Sequence, residues 1–369
     1  MDQINVAAIA TQVAWLAFAL GVAFGAVTQR THFCTMGAVA DIVHMGDWNR
    51  MRQWLLAIAV AILGANLLAY SGLIDLSKSL YATPRLTWLS YLVGGGLFGV
   101  GMVLASGCGS KTLVRLGGGN LRSLLVFIVL GLSALMTLRG ILAIPRVQLL
   151  EPFAITLATT QDLPSIMAQW FGEKPTLQLI LSLLVSSLLF LFVLASRPFR
   201  TAGNIFAGVA VGAIIVAAWY VSGHLGYLAE DPNTLQEAFI GTNSGKMESF
   251  SFVAPYAYTL DLLTMWTDVS KIVSFGIAAA LGVVNGAFIM AIVTRTFRWE
   301  GFGNREDLAN HIIGAMLMGF GGVTALGCTI GQGISGFSTL AIGAMMTFAA
   351  IILGAIAALK YQGWRMERS

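Results

Sequence analysis

Charge is scarce in this chain. Lysine, arginine, aspartate and glutamate make up 10% of its 369 residues, where a soluble domain carries about 25%. A water-soluble domain is excluded, because no segment between apolar blocks exceeds about 50 residues. There is no phosphate-binding loop for ATP hydrolysis and no nucleophile–base motif, so nothing signals an enzyme. Cysteines number three; an odd count closes no disulfide set, and no C-x-x-C suggests redox exchange. Histidines number four. A metal site built from His32, Cys34, Cys108 and Cys328 would lack the close ligand spacings of zinc sites, and His224 and His311 are expected at helix ends. No metal and no cofactor are expected. Carboxylates are almost missing from the apolar blocks, so the usual intramembrane mark of proton or sodium coupling is not there. Carrier and channel both stay open.

What is abundant is apolar surface, with 57% hydrophobic residues and a mean hydropathy of +0.80. A helix needs about 20 apolar residues to span a bilayer. Nine stretches qualify: 6–28, 53–74, 88–106, 122–144, 177–196, 203–224, 271–294, 310–328 and 340–360. Long blocks rather than alternating strands predict an all-α polytopic membrane protein, not a barrel. The first stretch is too long for a removed signal peptide, and lacks its basic leader and cleavage site. The net charge of +4 says nothing of nucleic acid, but its distribution orients the chain. With the N-terminus outside, the inward segments hold 14 of the 21 basic residues, while the long connection 225–270 is acidic. Basic residues favour the cytoplasmic side, so a periplasmic N-terminus and a cytoplasmic C-terminus in a bacterial inner membrane are expected. Residues 145–176 have room for a short surface helix, and 225–270 reads as an ordered outer loop.

The chain also repeats itself. Residues 94–108 (GGGLFGVGMVLASGC) slide onto 314–328 (GAMLMGFGGVTALGC) with eight identities in 15 positions, at a constant offset of 220. The copies fall on the third and eighth stretches, five apart, and therefore run in opposite directions. The two units are expected within 24–144 and 275–360. Inverted repeats of this kind place a site near the midplane, where broken helices meet.

Each glycine stripe lets helices approach closely and ends in Gly-Cys: Gly107–Cys108 and Gly327–Cys328. The following segments, GSKTLVRLGGGN and TIGQGISGFS, are too short and polar to span, and backbone of that kind survives at membrane depth only inside protein or along a cavity. A re-entrant half-helix starting just after each cysteine would aim free N–H groups and a positive dipole end at the thiol, which attracts anions. Cys34, in QRTHFCTMGAVAD (29–41), heads a third such segment. The candidate binding residues are Cys34, Cys108 and Cys328, with Gly107, Gly109, Lys111, Arg115, Gly327, Thr329 and Gln332.

The Q-R-x-x-F-C run at 29–34, the glycine stripe and Gly-Cys with a following arginine at 101–115, and G-C-T-I-G-Q-G at 327–333 resemble the YeeE/YedE family of bacterial thiosulfate transporters. The resemblance covers nearly the whole chain. It implies an hourglass-shaped membrane protein with an inverted repeat, whose Cys34, Cys108 and Cys328 line a central route for thiosulfate uptake. It also implies a small cytoplasmic sulfur-carrier protein of the TusA type as partner. Two departures stand out: Ser106 and Leu326 precede the Gly-Cys pairs where the family often has a further glycine, and Lys111 replaces a small uncharged residue. The substrate therefore stays open among sulfur and selenium compounds. A membrane sulfur-trafficking protein working through a cysteine persulfide is the rival from another class.

The charge asymmetry makes a direct prediction. A reporter fused after Ser369 is expected to be active in the cytoplasm; activity only on the opposite face reverses the orientation.

Overall fold

The computed structural model describes residues 6–232, 234–268 and 271–367, most of them helical. The order is α1 (Val6–Thr31), α2 (Thr35–Met45), α3 (Asn49–Tyr70), α4 (Trp88–Leu104), α5 (Gly109–Gly117), α6 (Leu121–Arg139), the single turn α7 (Ala143–Pro145), α8 (Leu163–Phe171), α9 (Lys174–Leu194), α10 (Ala202–Tyr220), α11 (Ala254–Thr264), α12 (Phe275–Val293), α13 (Arg305–Thr324) and α14 (Ile342–Met366). Two ribbons of two residues per strand complete it: β1 (Arg85–Leu86) against β2 (Ile155–Thr156), and β3 (Tyr227–Leu228) against β4 (Ala238–Phe239), both antiparallel.

Among the described residues, eight segments are long and apolar enough to cross a membrane, with α1–α2 and α4–α5 each forming one of them. The expected ninth stretch, 310–328, falls on α13. That helix has 20 residues, but its first two turns hold Arg305, Glu306, Asp307, Asn310 and His311, which makes it more polar than the others. Side-chain caps fix several helix starts: Asn120 accepts from the Ser123 N–H at 3.0 Å, Asn304 from Asp307 at 2.7 Å and Asp162 from Ser165 at 3.0 Å. Each satisfies a backbone donor that the first turn leaves free.

At the centre α4 and α13 cross antiparallel with their backbones in contact. A Cβ on Gly94 would lie 2.7 Å from the Gly321 carbonyl, and one on Gly101 would lie 2.5 Å from that of Gly314. The converse holds too, at 2.5 Å from Gly321 to Gly94 and 2.6 Å from Gly314 to Gly101. The offset of 220 exchanges these two contacts. Around this crossing the main pairings recur: α1 with α12 and α10 with α3; α4 with α14 and α13 with α6; α2 with α14 and α11 with α6, while α9 packs on α3 without a counterpart. The connection 143–173 lies between the two sets and carries the short α8. The connection 225–268 is folded back onto the bundle through β3, β4 and α11.

Only glycine allows the α4–α13 approach. Gly101→Ala is expected to cost roughly 1–3 kcal/mol as an overpacked contact, read as a lower melting temperature of the purified protein. Gly96→Ala, where a Cβ would meet nothing within 4 Å, should not lower that temperature, since alanine is the better helix former.

Candidate functional site

The two central helices end in the same turn. Gly107 N–H reaches back to Met102 O at 2.9 Å and Ser106 N–H to Val103 O at 3.1 Å; Gly327 reaches Gly322 at 2.8 Å and Leu326 reaches Val323 at 3.1 Å. These six-to-one closures need a left-handed residue, and Ser106 (φ 56°) and Leu326 (φ 58°) supply it. The same positions are where a family-type glycine was missed in the sequence. Each turn halts its helix and delivers a cysteine.

All three cysteines then stand at the head of a short helix. Cys34 is the N-cap of α2, its sulfur accepting the Gly37 N–H at 3.4 Å. Cys108 is the N-cap of α5, with its sulfur 3.2 Å from the Ser110 hydroxyl. Cys328 precedes a helical segment over 329–338 wound as a π-helix at Gly331–Gly336. Its sulfur accepts from Gly331 N–H at 3.4 Å and Phe252 N–H at 3.3 Å. The three are free thiols and buried. Cys108 lies within electrostatic reach of both Cys34 and Cys328, so the structure brings them together.

Phe252 joins the two central thiols. Its N–H bonds Cys328, while a Cβ on Gly109 would lie 2.9 Å from its carbonyl oxygen, so glycine at 109 permits the contact. Tyr256, fully buried, donates to Gly109 O at 2.6 Å and lies within reach of Cys108 and Cys328. Sequence reasoning missed both residues, which sit in the polar-aromatic run SFSFVAPY of the 225–270 connection expected as an outer loop. Thr329 and Gln332 are buried behind Cys328. Gln332 donates to Ala325 O at 2.5 Å, which braces the turn. The Thr329 hydroxyl oxygen and Gln332 Oε1 are buried without a hydrogen-bond partner.

The two ends of this centre differ in charge. Lys111, on the first turn of α5, lies in a field shared with Cys34, Cys108, Arg115 and Arg50. A cation there opposes the helix dipole. Arg115 donates to Ser106 O at 2.7 Å and so ties off the end of α4, while Arg50 pairs with Asp41 at 3.2 Å. At the opposite end of α12 a cavity of about 280 Å³ is lined by Leu80, Glu248, Ser251, Tyr258, Leu326 and Gly327. It therefore ends on the residue before Cys328. Burial pushes the Glu248 carboxyl up to about 7, opposed by hydrogen bonds from the Asn243 N–H and Ser244. Among the described residues, no group of three or more histidine, cysteine, aspartate or glutamate side chains could hold a metal ion.

Residues 30–357 match the family described as sulphur transport. The chain belongs to that family. This transporter is 27% identical over 344 residues to the thiosulfate transporter TsuA of Escherichia coli strain K12, covering 89% of the chain and 87% of that protein. To the thiosulfate transporter TsuA of Spirochaeta thermophila it is 24% identical over 351 residues, 92% of the chain and 96% of that protein. A shorter match, 28% over 190 residues, joins 51% of the chain to 43% of the probable transporter YedE of Salmonella typhimurium. The YeeE/YedE resemblance read from the three cysteine motifs is thus borne out. The protein is a multi-pass membrane transporter and not an enzyme.

The left-handed turns make a stability prediction. Left-handed backbone costs a non-glycine residue about 1–2 kcal/mol. Ser106→Gly, whose main chain still accepts the Arg115 bond, is expected to raise the melting temperature of the transporter, and an unchanged or lower value contradicts the strain at this turn.

Proposed function

We propose that the protein takes up thiosulfate, or a closely related sulfur anion, across the bacterial inner membrane through a central route lined by Cys34, Cys108 and Cys328. The observation that carries this reading is that each thiol heads a half-helix, where N–H groups and the positive dipole end favour an anion. The names of the two TsuA relatives support the choice of substrate. The reciprocal pairing of helices supports an inverted repeat whose units meet at the thiols; it also draws in α1, α10 and α11, which reach beyond the bounds 24–144 and 275–360 expected for the two units.

The chemistry follows from the geometry. The Cys34 and Cys328 sulfurs accept backbone N–H groups, which leaves each S–H to be donated to a passing anion. A thiol is a weak donor, suited to the terminal sulfur of thiosulfate, and weak sites in series let an ion enter and leave. Gly107, Gly109 and Gly327 keep side chains out of the route. Thr329 and Gln332 offer polar atoms beside Cys328, and Lys111 with Arg115 offsets the anion's lost hydration at the cytoplasmic end. In this orientation residues 225–268 face the periplasm. A TusA-type sulfur carrier would receive the ion on the cytoplasmic side, beside α5.

Losing a hydrogen bond to a charged group costs about 1.5–3 kcal/mol. Cys108→Ala and Cys328→Ala should therefore each slow uptake of labelled thiosulfate into proteoliposomes roughly 10- to 100-fold, with insertion intact. Cys→Ser should also impair it, since a hydroxyl prefers oxygen acceptors. A thiol alkylator should block the wild type, and excess thiosulfate should slow the labelling. Wild-type rates in both alanine variants would make the cysteines packing residues. Selenite, sulfite and sulfate in the same assay decide the substrate among sulfur and selenium anions, and a persulfide found on a cysteine during turnover would favour the sulfur-trafficking rival.

A further inference from the structure

The cavity that ends on Gly327 holds a contradiction for an anion route, and it rests on the uptake reading above. Its polar lining is suited to an anion, with Asn243, Ser249, Ser251, Ser274 and Tyr258 offering amide and hydroxyl groups. Glu248 lines the same space. Its side chain accepts the Asn243 N–H at 3.3 Å, and among the described residues no cation forms an ion pair with it. The groups facing it from neighbouring elements are themselves acidic or neutral: Tyr258 of α11 and Tyr81 of the connection before α4 both share its field. The wall supplied by α12 and its cap is Ser274, Phe275 and Gly276, and that of α13 and the turn after it is Gly322, Val323, Leu326 and Gly327, all uncharged. Leu138 is the lining residue of α6. The next residue, Arg139, pairs with Asp261 at 3.5 Å, as does Lys271 at 2.5 Å. Lys246, on the same connection as Glu248, bonds the Ser244 hydroxyl through its backbone N–H and carbonyl.

A doubly charged sulfur anion in this cavity would face a carboxylate with no counter-ion, in surroundings that screen poorly. Protonation removes the like charge and turns an acceptor oxygen into an O–H donor that can bind the anion.

We propose that Glu248 is a proton site in the outer cavity that must be filled before the sulfur anion can occupy it, so that anion and proton bind together. The proton comes from the outer water to a carboxyl oxygen, and no other bond is made or broken. The acid lies on the connection between α10 and α12 and not in a spanning helix, where carboxylates are nearly missing.

The sign follows from the raised affinity. A group titrating at about 7 is protonated below that pH and charged above it, while thiosulfate is fully ionised throughout. In proteoliposomes with the internal pH clamped, the initial rate of wild-type thiosulfate uptake should fall roughly tenfold as the outer pH rises from 6 to 8. Glu248→Gln, a neutral group of the same shape, should give one rate at both pH values, near the wild-type rate at pH 6. A flat wild-type profile, or a Glu248→Gln profile that keeps the wild-type slope, overturns the proposal. Should Glu248→Gln fail to insert, calorimetric titration of detergent-solubilised wild type with thiosulfate at pH 8, in buffers of different ionisation enthalpy, decides it. About one proton taken up per anion supports it, and none overturns it. Absence of thiosulfate uptake and binding by the wild type at every pH defeats the uptake reading itself, and the Glu248 proposal falls with it.

Discussion

The close crossing of α4 and α13 is the constraint on which the rest of the molecule depends. Four glycines, at 94, 101, 314 and 321, let the two backbones touch, and no side chain could take their place without parting the helices. Because the contacts are exchanged by the same offset that relates the two sequences, the crossing lies on a local two-fold. The helices that flank it inherit that relation. So do the turns that follow, since a helix end fixed in place by its partner fixes the residues just beyond it. The two Gly-Cys steps are spanned by Phe252, which bonds the Cys328 sulfur and packs its carbonyl on Gly109.

What the turns then accomplish is electrostatic. Each interrupts a helix in the interior and restarts another with a sulfur at its head. The exposed N–H groups of a first turn are costly to bury without an acceptor, and Cys34 and Cys328 provide one at 3.4 Å. The thiol thereby stabilises the broken backbone at rest while remaining able to donate its proton.

Much of this was legible in the sequence, and for identifiable reasons. The apolar blocks gave the helical membrane fold, because a spanning segment needs an unbroken run of a set length. The repeat at 94–108 and 314–328 survived because glycine cannot be exchanged at a backbone contact, and the half-helices announced themselves by being too short to span. Other features left no such mark. The counterparts α1 and α10, or α2 and α11, pair alike in space, yet their side chains pack against different neighbours and have kept no common string. Phe252, Tyr256 and Glu248 lie on a connection that composition assigns to the surface. Only its folding back onto α12 and α13 makes them interior. The polar start of α13 blurred the count of spans, since a helix held between α4 and α6 does not need the hydropathy of one facing lipid.

Two identical halves related by a two-fold would present an ion with the same energy profile from either side. Here the match is broken at one position in particular. The offset that carries Cys108 onto Cys328 carries Lys111 onto Gly331, whose bare N–H bonds the Cys328 sulfur. Lys111 therefore stands on one side of the central thiols, while the position that matches it on the other side is a glycine. In electrical terms the two halves form an unbalanced pair, with Lys111, Arg115 and Arg50 gathered on one side of the thiols.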